Sequence, residues 1–124
     1  MLNILDLMNR YPKYVYYHAI RVAKLVSEYN NSTDYELVAL LHDIIEDTDT
    51  SLDEIPVDIK EDIDILTRRK EETYFDYIET IKKYGTKRAF IVKLCDLKDH
   101  LNQKDTLTVS LKKRYLKALS ILND

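Results

Sequence analysis

Glycine and proline are scarce in this chain of 124 residues, which contains one Gly (Gly85) and two Pro (Pro12 and Pro56). Tight hairpins need residues that tolerate unusual backbone angles, so a sandwich built from many short strands is excluded. A single cysteine, Cys95, cannot form a disulfide within the chain, and this fits a reducing cytoplasm. Long apolar runs are missing as well. The longest, Leu37 to Leu41, falls far short of the roughly 20 residues that a membrane span needs. Met1 to Arg10 has no basic stretch leading into an apolar one, so no secretion signal is expected. Positive charge is not in excess: 19 Lys and Arg against 22 Asp and Glu give a formal net charge of −3. No broad basic surface is available to a phosphate backbone, and nucleic acid and membrane are both set aside as partners.

What remains is an ordered, globular composition, 45% hydrophobic and 33% charged with ten Tyr. A chain of this size buries about two thirds of the surface that its unfolded form exposes, which is one domain's worth, residues 1–124. Apolar residues recur at intervals of three and four, and period-two alternation is absent, so the expected fold is all-α, a compact single-domain bundle of about seven helices. The expected segments are Leu2 to Asn9, Lys13 to Tyr29, Thr33 to Ile45, Pro56 to Leu66, Glu72 to Tyr84, Thr86 to Gln103 and Leu107 to Leu122. Thr33 with Glu36, and Ser51 with Glu54, fit capping boxes. Pro56 fits a first helical position, and Gly85 fits a left-handed stop. Val15, Val22, Leu25, Val26 and Tyr29 form one apolar stripe; Phe90, Leu94, Leu97 and Leu101 form another.

The chemistry concentrates in Leu40-Leu41-His42-Asp43-Ile44-Ile45-Glu46-Asp47-Thr48-Asp49-Thr50. Asp43, Glu46 and Asp47 lie at i, i+3 and i+4 and share a helix face unless the helix ends first. Three like charges there call for a cation, and a divalent metal is the compact answer. Such a site needs donors from several helices. His18 lies on an apolar-striped helix, and Asp96 interrupts the apolar run from Ala89 to Cys95. Lys93, Asp96 and His100 line one stripe of the same helix. Plainer readings stand beside these: His18 as a core histidine, Asp96 as a salt-bridge partner of Lys93, the acidic run from Glu46 to Glu54 as a solvated loop. A calcium loop beginning at Asp47 is rejected, because Leu52 stands where the turn glycine belongs and the twelfth position has no Glu.

Taken together, His18, His42, Asp43 and Asp96 resemble the H…HD…D ligand set of the HD superfamily of metal-dependent phosphohydrolases. The string around His42-Asp43 resembles the motif of the RelA/SpoT-type guanosine (p)ppGpp 3′-pyrophosphohydrolases, and Val92-Lys93-Leu94-Cys95-Asp96 resembles their VKLAD. Ile65-Leu66-Thr67-Arg68, Tyr74-Phe75-Asp76-Tyr77-Ile78 and Lys113-Arg114-Tyr115-Leu116-Lys117-Ala118-Leu119 look like the small stand-alone bacterial and phage members. The resemblance implies an all-α fold, one divalent ion, usually manganese, and roles for Glu46 and Asp47 in activating water and assisting the leaving group. Two departures concern nucleotide contacts. The larger hydrolases carry an Arg-Lys pair and a Gly-rich turn before the first His, where this chain has only Arg10 and Lys13. They also have an Asn where this chain has His100. Arg21, Lys93 and Arg114 are expected phosphate contacts by charge. The expected function is hydrolysis of a phosphate or pyrophosphate ester in a nucleotide or small phosphorylated metabolite in the cytoplasm. The alternatives are a metal-retaining nucleotide-binding module with little turnover and a metal staple for a small helical protein.

Overall fold

The apolar periodicity resolves into α1 (Ile4–Met8), α2 (Lys13–Ser27), α3 (Thr33–Leu41), α4 (Ile44–Asp47), a 3₁₀ turn (Leu52–Glu54), α5 (Val57–Ile65), α6 (Tyr74–Tyr84), α7 (Lys87–Asn102) and α8 (Val109–Asn123). These come from a computed structural model that describes residues 3–124. Among the described residues there is no strand, and no helix is long and apolar enough to cross a membrane. All the expected segments are present, with the third divided in two. The start expected at Leu2 lies outside the described residues.

Local chemistry sets most boundaries. The hydroxyls of Thr73, Thr86 and Thr108 accept the backbone N–H groups of Asp76, Ala89 and Leu111 at 3.1 Å each, satisfying donors that a helix start leaves orphaned. The Ser51–Glu54 capping box forms, the Ser51 N–H donating to Glu54 Oε2 at 2.9 Å. The box expected at Thr33 does not: Ser32 occupies the N-cap and Thr33 is already helical. Pro56 caps α5 from just outside rather than opening it.

Gly85 corrects a second expectation. Its φ of −69° and ψ of 147° are extended, not left-handed. The glycine is needed for space instead, since a Cβ there would sit 2.4 Å from the Ile81 carbonyl oxygen that accepts the Gly85 N–H. Absence of a side chain lets α6 end in close contact with its own last turn.

Helix α7 runs through the middle, packed by α2, α3, α5, α6 and α8, while α2 lies along α3. Val22 and Val26 of α2, Val38 and Leu41 of α3, Ile59 and Ile63 of α5, Ile78 and Ile81 of α6, and Val92 and Leu97 of α7 are all 0–1% exposed. Burying an aliphatic side chain of this size contributes about 1.5–3 kcal/mol, so this layer holds the helices in register. The expected α2 stripe ends early: Tyr29 is about half exposed, its phenol meeting Lys98. Because α7 is surrounded, its polar residues are buried along with its apolar ones. Lys93, Asp96 and Asp99, spaced by three, are each at most 7% exposed and form a polar seam within the core. Charges so placed must be matched by neighbours.

Candidate metal centre

Two histidines face that seam, and a partner on the far side of each ring fixes what it presents. His18, 6% exposed on α2, directs Nδ1 at Asp99 Oδ2 (2.7 Å) and Nε2 at Asp96 Oδ1 (2.7 Å). His42, 2% exposed, directs Nδ1 at the Ala39 carbonyl (2.6 Å) and Nε2 at Asp43 Oδ2 (3.1 Å) and Asp96 Oδ1 (3.3 Å). A carbonyl and an ionised carboxylate only accept hydrogen bonds, so each Nδ1 carries a hydrogen. Each neutral imidazole therefore turns an Nε2 lone pair toward carboxylate oxygens. Lone pair against anion is repulsive unless a cation stands between them.

Protons supply that cation when metal is absent. Burial alone would depress the His42 imidazole, but Asp43 and Asp96 outweigh it and hold His42 well above its ordinary value. His18 is raised in the same way, with Asp96 opposing burial. Burial pushes Asp96 up, and Lys93 with three imidazoles pulls it well below the usual carboxylate range. A divalent ion answers the same need with one atom. His18, His42, Asp43 and Asp96 offer one ligand atom each, all within 4.8 Å of one another. Two imidazole nitrogens and two carboxylate oxygens form a donor set suited to a first-row divalent ion, so the residues fit a metal.

A local break makes this convergence possible. Neighbouring side chains on a continuous α-helix diverge by about 100°, so His42 and Asp43 could not both aim at one point. Asp43 instead takes φ −103° and ψ 4°, closing α3 and opening α4. This backbone region is sparsely occupied and recurs at active sites. The expected continuous helix from Thr33 to Ile45 is divided here, because Asp43 leaves helical backbone angles.

Two cavities meet at the centre, sharing Asp43, His100 and Tyr115 as walls. The narrower, about 190 Å³, also contains Glu46, Arg68, Lys93, Asp96 and Arg114. The wider, about 560 Å³, contains His18, Arg21 and Asp47. Thus Glu46 and Asp47, expected side by side, open onto different cavities. Withdrawal from solvent, with Asp43 near by, raises the Glu46 carboxyl above its ordinary value despite the Arg68 N–H that donates to Oε1 at 2.5 Å. The same two causes raise Asp47.

The four expected phosphate and substrate contacts are therefore all at the site, in different settings. Lys93 donates to Asp96 Oδ2 at 2.8 Å and lies 4.9 Å from the Tyr77 ring centre. Burial would lower this ammonium's pKa, yet Asp96, Tyr77 and Tyr74 keep it well above its usual value. Arg114 stands over the Tyr74 ring at 4.8 Å. His100 places Nε2 at 3.2 Å from Asp96 Oδ1 and is stacked between His18 (4.4 Å) and Tyr115 (5.0 Å). Arg21 holds Asp99 through Nε at 2.9 and 3.1 Å. Arg10, one of the two basic residues before the first His, is committed elsewhere, to Glu54 and Thr50.

Sequence reasoning missed Asp99, Arg68 and the tyrosines Tyr74, Tyr77 and Tyr115. Asp99 had a signal: it follows Asp96 by three and so lies on the same face of α7. Arg68 and the tyrosines reach the site from a loop, α6 and α8; they lie within the strings that resemble the small stand-alone members, but nothing in those strings places them at the centre.

Against this geometry, the HD domain profile matches residues 15–100, which takes in every candidate metal ligand. The chain belongs to the HD domain family. Members of this family are generally metal-dependent phosphohydrolases that bind divalent ions, and the His/Asp cluster is compatible with that chemistry. No curated protein matches the chain significantly.

Proposed function

We propose that this HD domain protein hydrolyses a phosphate or pyrophosphate ester of a nucleotide or another small phosphorylated metabolite. The observation that carries this reading is the cavity in which Arg68, Lys93 and Arg114 face Asp43 and Asp96 of the metal-fitting cluster. A structural staple has no need of such an anion-accepting space beside it.

His18, His42, Asp43 and Asp96 would hold the ion, with manganese the expected metal. When bound, such an ion supplies Lewis acidity at a phosphoryl oxygen and makes water easier to deprotonate. The chain's own residues do the rest. Arg68, Lys93 and Arg114 bind phosphoryl oxygens, and Asp99 and the Ala39 carbonyl hold the two imidazoles in the tautomer that leaves Nε2 available. Glu46 takes the proton from the attacking water; its raised pKa brings it closer to neutrality, where a carboxylate exchanges protons most effectively. Asp47, on the other cavity, assists the leaving group. The partner is a small phosphorylated molecule in a cytoplasmic setting, not a nucleic acid or a membrane.

The motif around His42-Asp43 makes guanosine polyphosphate the first substrate to test within this class. Mn²⁺-loaded protein should be offered nucleotide mono-, di- and polyphosphates, with products identified. Release of orthophosphate or pyrophosphate is expected. No turnover of any phosphate ester with the ion bound would overturn the reading in favour of a binding module.

A further inference from the structure

We infer that the substrate carries its negative charge at one end only: a phosphoryl group for the narrow cavity, joined to a neutral, planar organic group for the wide one. A nucleoside monophosphate has this form. The inference rests on the phosphohydrolase reading and goes beyond it by assigning each cavity an occupant.

The two cavities differ in charge. In the narrow one, the Tyr74 ring is approached by Arg114 (4.8 Å), Arg68 (5.8 Å) and Lys93 (5.9 Å). The aromatic face gathers these cations without neutralising them. Among the described residues, neither Arg68 nor Arg114 forms a salt bridge, so both charges remain for an anion. The narrow cavity also has Asp43, Glu46 and Asp96 in its walls, so its cations and carboxylates balance, whereas carboxylates outnumber Lys and Arg in the wide one. Asp43, Asp47 and Asp105 line it, and its cation, Arg21, is already matched by Asp99 at 2.9 Å. Leu107, Leu111 and Tyr14 add apolar and aromatic wall, and Gln103 and Thr106 add hydrogen-bonding groups. An anion there would face carboxylates; an uncharged ring system would find walls suited to it.

The dividing wall is a stack of rings that runs up to the candidate metal cluster. Tyr115, His100 and His18 form a continuous stack, with interplanar angles of 17° and 26°. A phosphate ester spanning the divide places its P–O bond beside Asp43 and Asp96. Water oxygen then bonds to phosphorus as the bond to the organic oxygen breaks. One water proton ends on the released alcohol and the other stays with orthophosphate, which is left among the cations. Guanosine 3′,5′-bis(diphosphate), anionic at both ends, would have to push one diphosphate against Asp47 and Asp105.

Mn²⁺-loaded protein should be assayed on guanosine 5′-monophosphate and on guanosine 3′,5′-bis(diphosphate). Binding of both to the Glu46→Gln protein with Mn²⁺ should be measured by calorimetry, which reports affinity without turnover. The monophosphate should be favoured by about tenfold or more in kcat/KM and in affinity. Asp105→Lys, at an exposed loop position, should narrow both ratios by strengthening binding of the bis(diphosphate). A wild-type preference for the bis(diphosphate), or ratios unmoved by Asp105→Lys, would overturn the inference while leaving phosphate-ester hydrolysis intact. Absence of turnover on both would count against guanosine nucleotides as substrates, and the hydrolase reading would fall only with no turnover of any phosphate ester. The binding ratio would then decide the charge assignment, with equal affinities overturning it.

Discussion

Of the three carboxylates that lie deep among the helices, Asp62 on α5, at 1% exposure, and Asp96 on α7, at 3%, make the sharpest contrast. Asp62 receives the Thr86 hydroxyl on one oxygen and Arg88 Nε–H at 2.9 Å on the other. The same guanidinium also donates to Asp34 (3.0 Å) and to the Asp58 carbonyl (3.1 Å). Arginine and a hydroxyl bring their own hydrogens, so the Asp62 oxygens are satisfied by protein alone. Asp96 is satisfied on Oδ2 by Lys93, but its Oδ1 faces Nε2 of His18, His42 and His100 at 2.7, 3.3 and 3.2 Å. For His18 and His42, Asp99 and Ala39 have already claimed the neutral ring's hydrogen on Nδ1. One buried carboxylate ties α5 to α7; the other turns one oxygen to three ring nitrogens, a contact that a proton or a metal ion can bridge. Burial alone does not distinguish a structural acid from a metal ligand, whereas the hydrogen inventory of its partners does.

The largest effect should come from Glu46, a carboxylate on the Asp96 side whose one structural contact, the Arg68 N–H, an amide can keep. Glu46→Gln keeps size and the hydrogen bond from the Arg68 N–H but loses basicity. It should lower kcat by about 10²–10⁴-fold, or roughly 3–5 kcal/mol of barrier, with metal content and melting temperature retained. Asp47→Asn should lower kcat less. A Glu46→Gln protein with wild-type kcat would remove Glu46 from the mechanism.

The next effect lies at the other carboxylate. Asp62→Ala leaves Arg88 and the Thr86 hydroxyl facing a gap. Loss of one partner from a fully buried ion pair costs about 3–5 kcal/mol, and because Arg88 is 28% exposed the expected loss is nearer 2–3 kcal/mol. Chemical denaturation should show that loss while metal stoichiometry stays at the wild-type value. Metal loss from folded Asp62→Ala protein would erase the distinction between the two carboxylates.

Asp99→Ala sharpens the comparison, because it removes the acceptor that fixes the His18 tautomer while leaving all four candidate ligands in place. Second-layer partners of this kind are typically worth about 10–100-fold in metal affinity, and competition with a chelator should find a loss in that range. An unchanged affinity would show that His18 is oriented by packing alone.

How far the sequence reveals this arrangement can be judged from the same residues. Apolar spacing and the His18, His42, Asp43 and Asp96 set are legible because helix period and ligand chemistry are local or motif-bound. The break at Asp43 is not, since no Gly or Pro marks it and no local pattern predicts its turn-like backbone angles. Gly85 shows the complementary failure: the residue type announces a helix end, but the physical reason is contact with the Ile81 carbonyl rather than a left-handed turn. Glu46 and Asp47 share a spacing that implies one face, and only the placement of α6, α7 and α8 around them separates them onto two cavities.

A smaller effect should follow pH. In the metal-free protein His18 and His42 stand above their ordinary value of 6.5, because Asp96 and Asp43 outweigh burial. A group raised on folding contributes its stability fully below the unfolded value, and that contribution is lost as pH rises through the folded value. Metal replaces the proton most usefully where the proton has left. Added Mn²⁺ should therefore raise Tm by a few degrees more near pH 8 than near pH 6. An increment independent of pH would contradict the view that proton and metal serve the same repulsive contact.

The central claim is that Asp96 is a metal ligand and Asp62 is not. Elemental analysis after Mn²⁺ loading and desalting, on wild type, Asp96→Ala and Asp62→Ala with folding checked on the same preparations, tests it most directly. The account predicts about one ion per chain in wild type and Asp62→Ala, and essentially none in folded Asp96→Ala. Equal stoichiometry in all three proteins would contradict it.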